Sequence, residues 1–440
     1  MKRLQEREPA FKGEITAFLT LLFVLMMSLV GALVESASMQ MAKNHKRANT
    51  VLALESTFAE YDRQMLKRYD LFVREECTDS VLQDRLEYYG ADHMNHTICK
   101  QEYLSDYKGS PFYEQAVRYG KDWLGIDKAP EAPEYELYSE TYLEEEELVY
   151  MDLEELLAQE QGELPEENNP LSTVQRLKDT DLITLVYPSP ENISNRHIII
   201  EDLPSARQLH AGNWGSYEKS QNVDKMFLVT YLREHFGSFA EEKDATTLAY
   251  EQEYLIGGYP SDKENLEKVC EQLLSVRMVV NYMYLLTDTA KQAEAEALSL
   301  TLCSLLTVPG VTEVVKHALL LAWAYGESVI DVRVLLKGKQ VPAVKSADTW
   351  QLQLANLVKL GTDEEIVNEV DVAGGISYQG YLTGLIYMRQ KETLSMRSLD
   401  LIESNLRIKT DQCTTKVQIT SNVALRRGVK DSFSTTFAYQ

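Results

Sequence analysis

The chain has 440 residues and a mass of 50.2 kDa, enough for one large buried core with attachments. Its composition, 44% hydrophobic, 25% charged and 9% aromatic, excludes a collagen-like or wholly disordered polymer. A net charge of −24, from 68 acidic and 44 basic residues, argues against nucleic-acid binding unless a basic face is segregated.

Lys2, Arg3, Arg7 and Lys12 mark residues 1–13 as a short basic head. Ile15 to Val34 then runs for twenty residues without a charge, between Glu14 and Glu35. A helix of that length spans about 30 Å, the thickness of a bilayer's hydrocarbon core. Residues 14–35 are therefore expected to cross a membrane once. The positive-inside rule places the head in the cytoplasm and the bulk of the chain outside. A cleavable secretory signal, with Ser36, Ala37 and Ser38 as its small-residue site, is the rival reading.

No Pro occurs between Pro9 and Pro111, and no Gly between Gly31 and Gly90. Apolar residues recur three or four apart at Val51, Leu54, Phe58, Tyr61, Met65 and Tyr69. This predicts that the membrane helix continues to about Arg74, with residues 36–75 as a juxtamembrane amphipathic helix. Val51, Leu54, Phe58, Tyr61 and Met65 would be its partner-binding face; the alternative is an ordinary anchor with a packed helix.

Residues 76–129 read as a small polar region. Cys77 and Cys99 are candidates for a disulfide, which would contribute on the order of 3 kcal/mol; Cys270 and Cys303 fall on apolar helix faces, where buried free thiols are common. The spacing His93-x-x-His96-x-x-Cys99 matches no standard zinc finger, and no metal is expected. Residues 130–170 form an acidic insert with fifteen Asp or Glu and no Lys or Arg. The expectation there is a solvated, extended segment, or else an acidic docking strip that uses Tyr135, Tyr138, Tyr142 and Tyr150.

Residues 171–440 are expected to form a helix-dominated α+β ectodomain. Leu182–Tyr187 and Arg196–Glu201 read as short strands. Ser261 with Glu264 forms a capping box, followed by a stripe of Leu266, Val269, Leu273, Val276 and Val280. Further helices are expected at 290–306, from Pro309 to about Lys337 with Gly338 as its stop, and at 377–407 with Tyr381, Leu382, Leu385 and Ile386 inward. Alternation at 416–420 and 433–439 predicts a terminal hairpin.

No nucleophile elbow, phosphate loop, zinc-protease helix or calcium loop occurs, so no enzymatic activity and no cofactor are expected. Glu327 and Asp331, four apart in an apolar helix, are the best acid pair; a structural ion pair, neutralised by Arg333 and Lys337, is the expected role.

Lys12-Gly13-Glu14-Ile15-Thr16-Ala17-Phe18-Leu19, with Gly31-Ala32-Leu33-Val34-Glu35-Ser36-Ala37 after the apolar run, resembles the pilin-type N-terminus of tight-adherence (Tad) minor pilins. More closely, the chain resembles an uncharacterised family of single-span surface proteins of Gram-positive bacteria associated with Tad pilus loci. Tyr254-Leu255-Ile256-Gly257-Gly258, Tyr284 to Asp288, and the stretch from Ala318 to Lys337 add to that resemblance. The resemblance implies a pilin-like structural or assembly component whose partners are membrane lipid and other pilus or secretion subunits. It also implies a processing site at Gly13 and Glu14, although Phe18 stands where pilin precursors carry Glu. A membrane-tethered receptor or enzyme using the later helical region is the alternative.

Overall fold

The computed structural model describes residues 11–125, 170–187, 189–215, 224–244, 247–306, 312–362, 364–367, 369–425 and 428–439. The acidic insert, apart from Pro170, lies outside the described residues.

Helix α1, Phe11–Phe58, is 48 residues long, about 72 Å at 1.5 Å per residue. From Ile15 through Ser38 every residue is exposed, and no part of the most apolar stretch is buried. From Lys43 onward one side of α1 closes onto the rest of the molecule, burying Thr50, Ala53, Leu54, Thr57 and Phe58. The helix therefore stops at Phe58, short of the predicted Arg74. Asp62, in extended backbone, accepts Met65 N–H (2.6 Å) and starts a separate helix, α2 (Arg63–Tyr69).

Next come α3 (Asp79–Tyr88), β1 (Met94–Tyr103) and α4 (Asp106–Trp123). Strand β1 pairs antiparallel with β2 (Thr414–Ala424), which pairs antiparallel with β3 (Lys430–Ala438), giving the order β1-β2-β3. The terminal hairpin is as the alternation predicts. The third strand comes from the region read as small and polar, which is thereby built into the same body as the C-terminus. The sheet, α3 and the end of α1 share a core of Leu54, Phe58, Leu82, Leu86, Val417 and Ile419.

The larger core gathers the remaining helices: α5 (Pro170–Lys178), α6 (Leu182–Val186), α7 (Asp224–His235), α8 (Glu251–Gly257), α9 (Asp262–Thr287), α10 (Thr289–Leu306), α11 (Thr312–Leu336), α12 (Tyr378–Met388) and α13 (Lys391–Leu406). Its axis is α11, buried on all sides from Ala318 to Leu336 except at half-buried Arg333, as an all-round apolar helix requires. Ser261 caps α9 as predicted: its Oγ accepts Glu264 N–H at 3.2 Å and meets Glu264 Oε2 at 2.9 Å. Gly338 follows α11 at φ 77°, where glycine carries no Cβ penalty.

Three further sequence expectations fail. Leu182–Val186 is a helical turn capped by Asp181 rather than a strand, because a short apolar run fits either geometry until its neighbours decide. Residues 196–201 form no strand: Ile198 N–H bonds Pro260 O and Asp262 N–H bonds Arg196 O, tying the segment to the turn before α9, and Ile200–Asp202 is a 3₁₀ turn. The helix expected over 377–407 is two, broken where Arg389 and Gln390 are extended (ψ 152° and 139°).

Helices α4 and α7 cross closely at Gly120, where an added Cβ would stand 2.4 Å from Phe227 O. Gly120→Ala is expected to cost about 1–3 kcal/mol by forcing two backbones apart. Thermal unfolding of the detergent-solubilised chain checks this; an unchanged midpoint would reject the close crossing.

Candidate functional site

The predicted partner face on α1 is largely consumed within the chain. Leu54 and Phe58 are buried, Phe58 stacking on Phe437 at 4.6 Å between centroids. Met65 belongs to α2 and is buried in the larger core, and Tyr61 lies half-buried between the helices against Phe72. Only Val51 stays exposed. Helical periodicity marks a face that is buried but not what buries it. Gly13 and Glu14 lie within α1.

Cys77 and Cys99 are not bonded to each other; all five cysteines are free. Cys99 is the extra residue of a bulge between Ile98 and Lys100, is exposed, and turns its Sγ to Thr420 Oγ1 (2.9 Å). Gln101 instead reaches Cys77, its Nε2 donating to Cys77 O (3.0 Å). Burial raises the Cys77 thiol pKa to about 11. A maleimide is expected to label Cys99 fast and the other four thiols only after denaturation. Absence of native labelling, with one label recovered on reduction, would restore the disulfide.

His93 and His96 do not converge. His93 points into solvent at φ 55°, while His96 is buried between Ser421 Oγ (2.7 Å) and Ala91 O (3.1 Å). Among the described residues no set of three metal-ligating side chains comes together.

The acid pair on α11 is the most elaborate polar cluster. Glu327 and Asp331 are both fully buried, and Lys345 Nζ lies 2.6 Å from a carboxylate oxygen of each. Glu327 also accepts the N–H groups of Gln351 (3.0 Å) and Leu352 (2.8 Å). Asp331 accepts from Gln351 Nε2 (3.1 Å), Asn281 Nδ2 (2.9 Å) and Arg277 Nε (3.0 Å). Arg277 spends its other donors on Pro342 O, Tyr381 Oη and Asn281 Oδ1. The predicted counter-ions are elsewhere: Arg333 pairs with Glu365 and Lys337 with Glu369. Burial pushes the Glu327 carboxyl up while Lys345 opposes the shift. Two carboxylates and two cations balance, and every carboxylate oxygen has a donor. The cluster is a closed structural network with no oxygen left for a substrate.

A cleft of about 460 Å³ lies where α1 gives way to α2, lined by Ala59, Glu60, Tyr61, Asp62, Arg63, Arg74 and Glu75. Arg74 is 7% exposed; its Nη1 lies 3.1 Å from Glu60 Oε2, and its buried Nε has no acceptor among the described residues. Glu60 sits below its ordinary pKa, chiefly through the Tyr89 hydroxyl it accepts (2.7 Å), whereas burial and then Asp62 raise Glu75. No sequence pattern marks this cleft, because it forms at a helix break the apolar stripe runs straight through.

No curated protein and no solved structure matches the chain. The model of a family of unknown function (DUF5702) matches residues 160–425, a span that holds the Glu327 network and β2 but leaves α1 and β1 outside. With more than half of its length matched, the chain belongs to this family of unknown function.

Proposed function

We propose that the protein is a membrane-anchored, pilin-like structural or assembly component of a bacterial surface system, of the Tad pilus or secretion type. One observation carries the reading: α1 is bare and apolar over its first half, long enough to cross a bilayer, and packs on the head only from Lys43 on. A rod in lipid bearing a head through its far end is the arrangement expected of a subunit held at a membrane. The filled Glu327 network adds support, since the best acid pair is saturated by donors of the fold and offers no oxygen to a substrate. In this proposal the basic residues 1–13 face the cytoplasm and the folded body of the chain, an outer head distinct from them, lies outside, as the basic residues before Ile15 favour.

The test is protease shaving of intact cells followed by detergent extraction and sequencing of the mature N-terminus. Loss of the head with retention of the α1 peptide in membranes, and co-purification of pilus or secretion subunits, is the expected result. A full-length chain recovered from the soluble cytosol would reject the anchor. An anchored chain that co-purifies with no such subunit would reject the assembly role.

A further inference from the structure

The two outer edges of the three-stranded sheet are treated differently. Along β1, side chains answer the outward backbone: Gln83 Oε1 accepts His96 N–H (2.7 Å), Asp79 Oδ1 accepts Ile98 N–H (2.7 Å), Asn213 Oδ1 accepts Gln101 N–H (2.8 Å), and Asp106 Oδ2 accepts Tyr103 N–H (2.7 Å). That edge is closed to another strand. On the β3 side, Tyr439 N–H bonds Thr415 O (3.3 Å) and Leu425 N–H bonds Val429 O (2.7 Å), which puts the odd-numbered residues of β3 in bonding register with β2. The even ones therefore turn their N–H and C=O groups outward. Ser432, Ser434, Thr436 and Ala438 are exposed, and no group among the described residues bonds their outward backbone. From Ser432 to Ala438 this edge carries no charge and no Pro, two of the usual devices against strand addition.

The ends of this edge differ in charge. One end carries Lys430, with Lys43 and Arg47 of α1 beside Asp431 at 3.3 Å each. The other leads toward the cleft, because Arg74 pairs with Thr414 in the row that Tyr439 continues. In that cleft Glu75 has no cationic partner among the described residues, and Arg74 Nε lacks an acceptor.

We propose that the outer edge of β3 takes an additional extended polypeptide strand, antiparallel to β3, with a cationic residue at its N-terminal end over the cleft. Main-chain hydrogen bonds supply the affinity and the end charges set the direction. The occupant is a different polypeptide rather than a second copy, a choice that rests on the anchored reading. β3 runs along α1 from Lys43 toward Phe58, so two copies standing the same way in one bilayer hold their β3 strands parallel and cannot form the antiparallel pair.

The probe is a synthetic peptide of about eight alternating Thr and Val residues behind an N-terminal Lys, added to the full chain in detergent. Saturable slowing of amide exchange at Ser432, Ser434 and Thr436 is expected. The same peptide N-methylated at alternate residues should give none, and Lys replaced by Glu should weaken binding about two- to fivefold. Ser434→Pro removes an outward donor and should abolish the effect while the Phe433 and Thr435 amides stay protected by β2. If that variant unfolds, the N-methylated peptide decides alone. No slowing at saturating peptide, or equal slowing by the N-methylated peptide, overturns the edge. Protection of the same amides without peptide, rising with protein concentration, overturns the occupant in favour of a second copy. Failure here with α1 still membrane-bound leaves the anchor standing.

Discussion

Replacing Lys345 by Met is expected to destabilise the helical core by about 3–5 kcal/mol. The substitution leaves Glu327 and Asp331 buried with Arg277 as their one remaining cation. A stranded buried charge costs far more than the pair it leaves behind contributes, because neither water nor a counter-ion replaces the lost ammonium. Adding Glu327→Gln to the same chain restores charge balance and keeps an acceptor for the Gln351 and Leu352 N–H groups, so most of the loss should return. Denaturant unfolding of the three variants in one detergent measures this. A single-variant loss below about 1 kcal/mol, or a double variant no better than the single, would show that the network is not the closed, balanced unit described.

Glu253 should make the head less stable as pH rises toward neutrality. It is fully buried, and burial raises its pKa to about 7 although Phe239 N–H (2.9 Å) and Tyr378 Oη–H (2.8 Å) donate to its Oε1. Its Oε2 has no partner among the described residues, as suits a carboxyl that is protonated in the fold. Because the folded pKa lies above the unfolded value of 4.5, the folded state holds the extra proton between them. Its stabilisation is complete below about pH 4.5 and is lost as pH rises through about 7. That gap corresponds to roughly 3 kcal/mol. Glu251 and Asp400 are raised in the same direction, also by burial. Glu253→Gln should therefore be less stable than the parent at pH 5, at least as stable at pH 8, and flatter between them. Parallel stability curves for parent and variant would refute the assignment.

What the sequence determined by itself was local. An uncharged run of twenty residues sets the length of an apolar rod whatever the rest of the chain does. Ser261 and Glu264 start α9 and Gly338 ends α11 because capping and left-handed backbone involve groups only a few residues apart. The hairpin of β2 and β3 was legible for the same reason, its strands being separated by a short turn. Tertiary structure decided everything that depends on partners distant in the chain. β1 became a strand because β2, more than three hundred residues later, offered it an edge; read alone, its polar sequence showed no such pairing. Leu182–Val186 became a helical turn because a short apolar run fits either form and its neighbours, the capping Asp181 among them, decide. Glu327 and Asp331 were visible as a pair, but Lys345 and Arg277, rather than Arg333 and Lys337, reach them, since helix α11 turns its two acids inward and its last basic residues outward. The apolar stripe after Val51 left a partner face and a packed helix both open, and the fold buries most of it within the chain. Periodicity records that a side must leave water, whereas the identity of the surface that covers it is fixed only when the chain folds back.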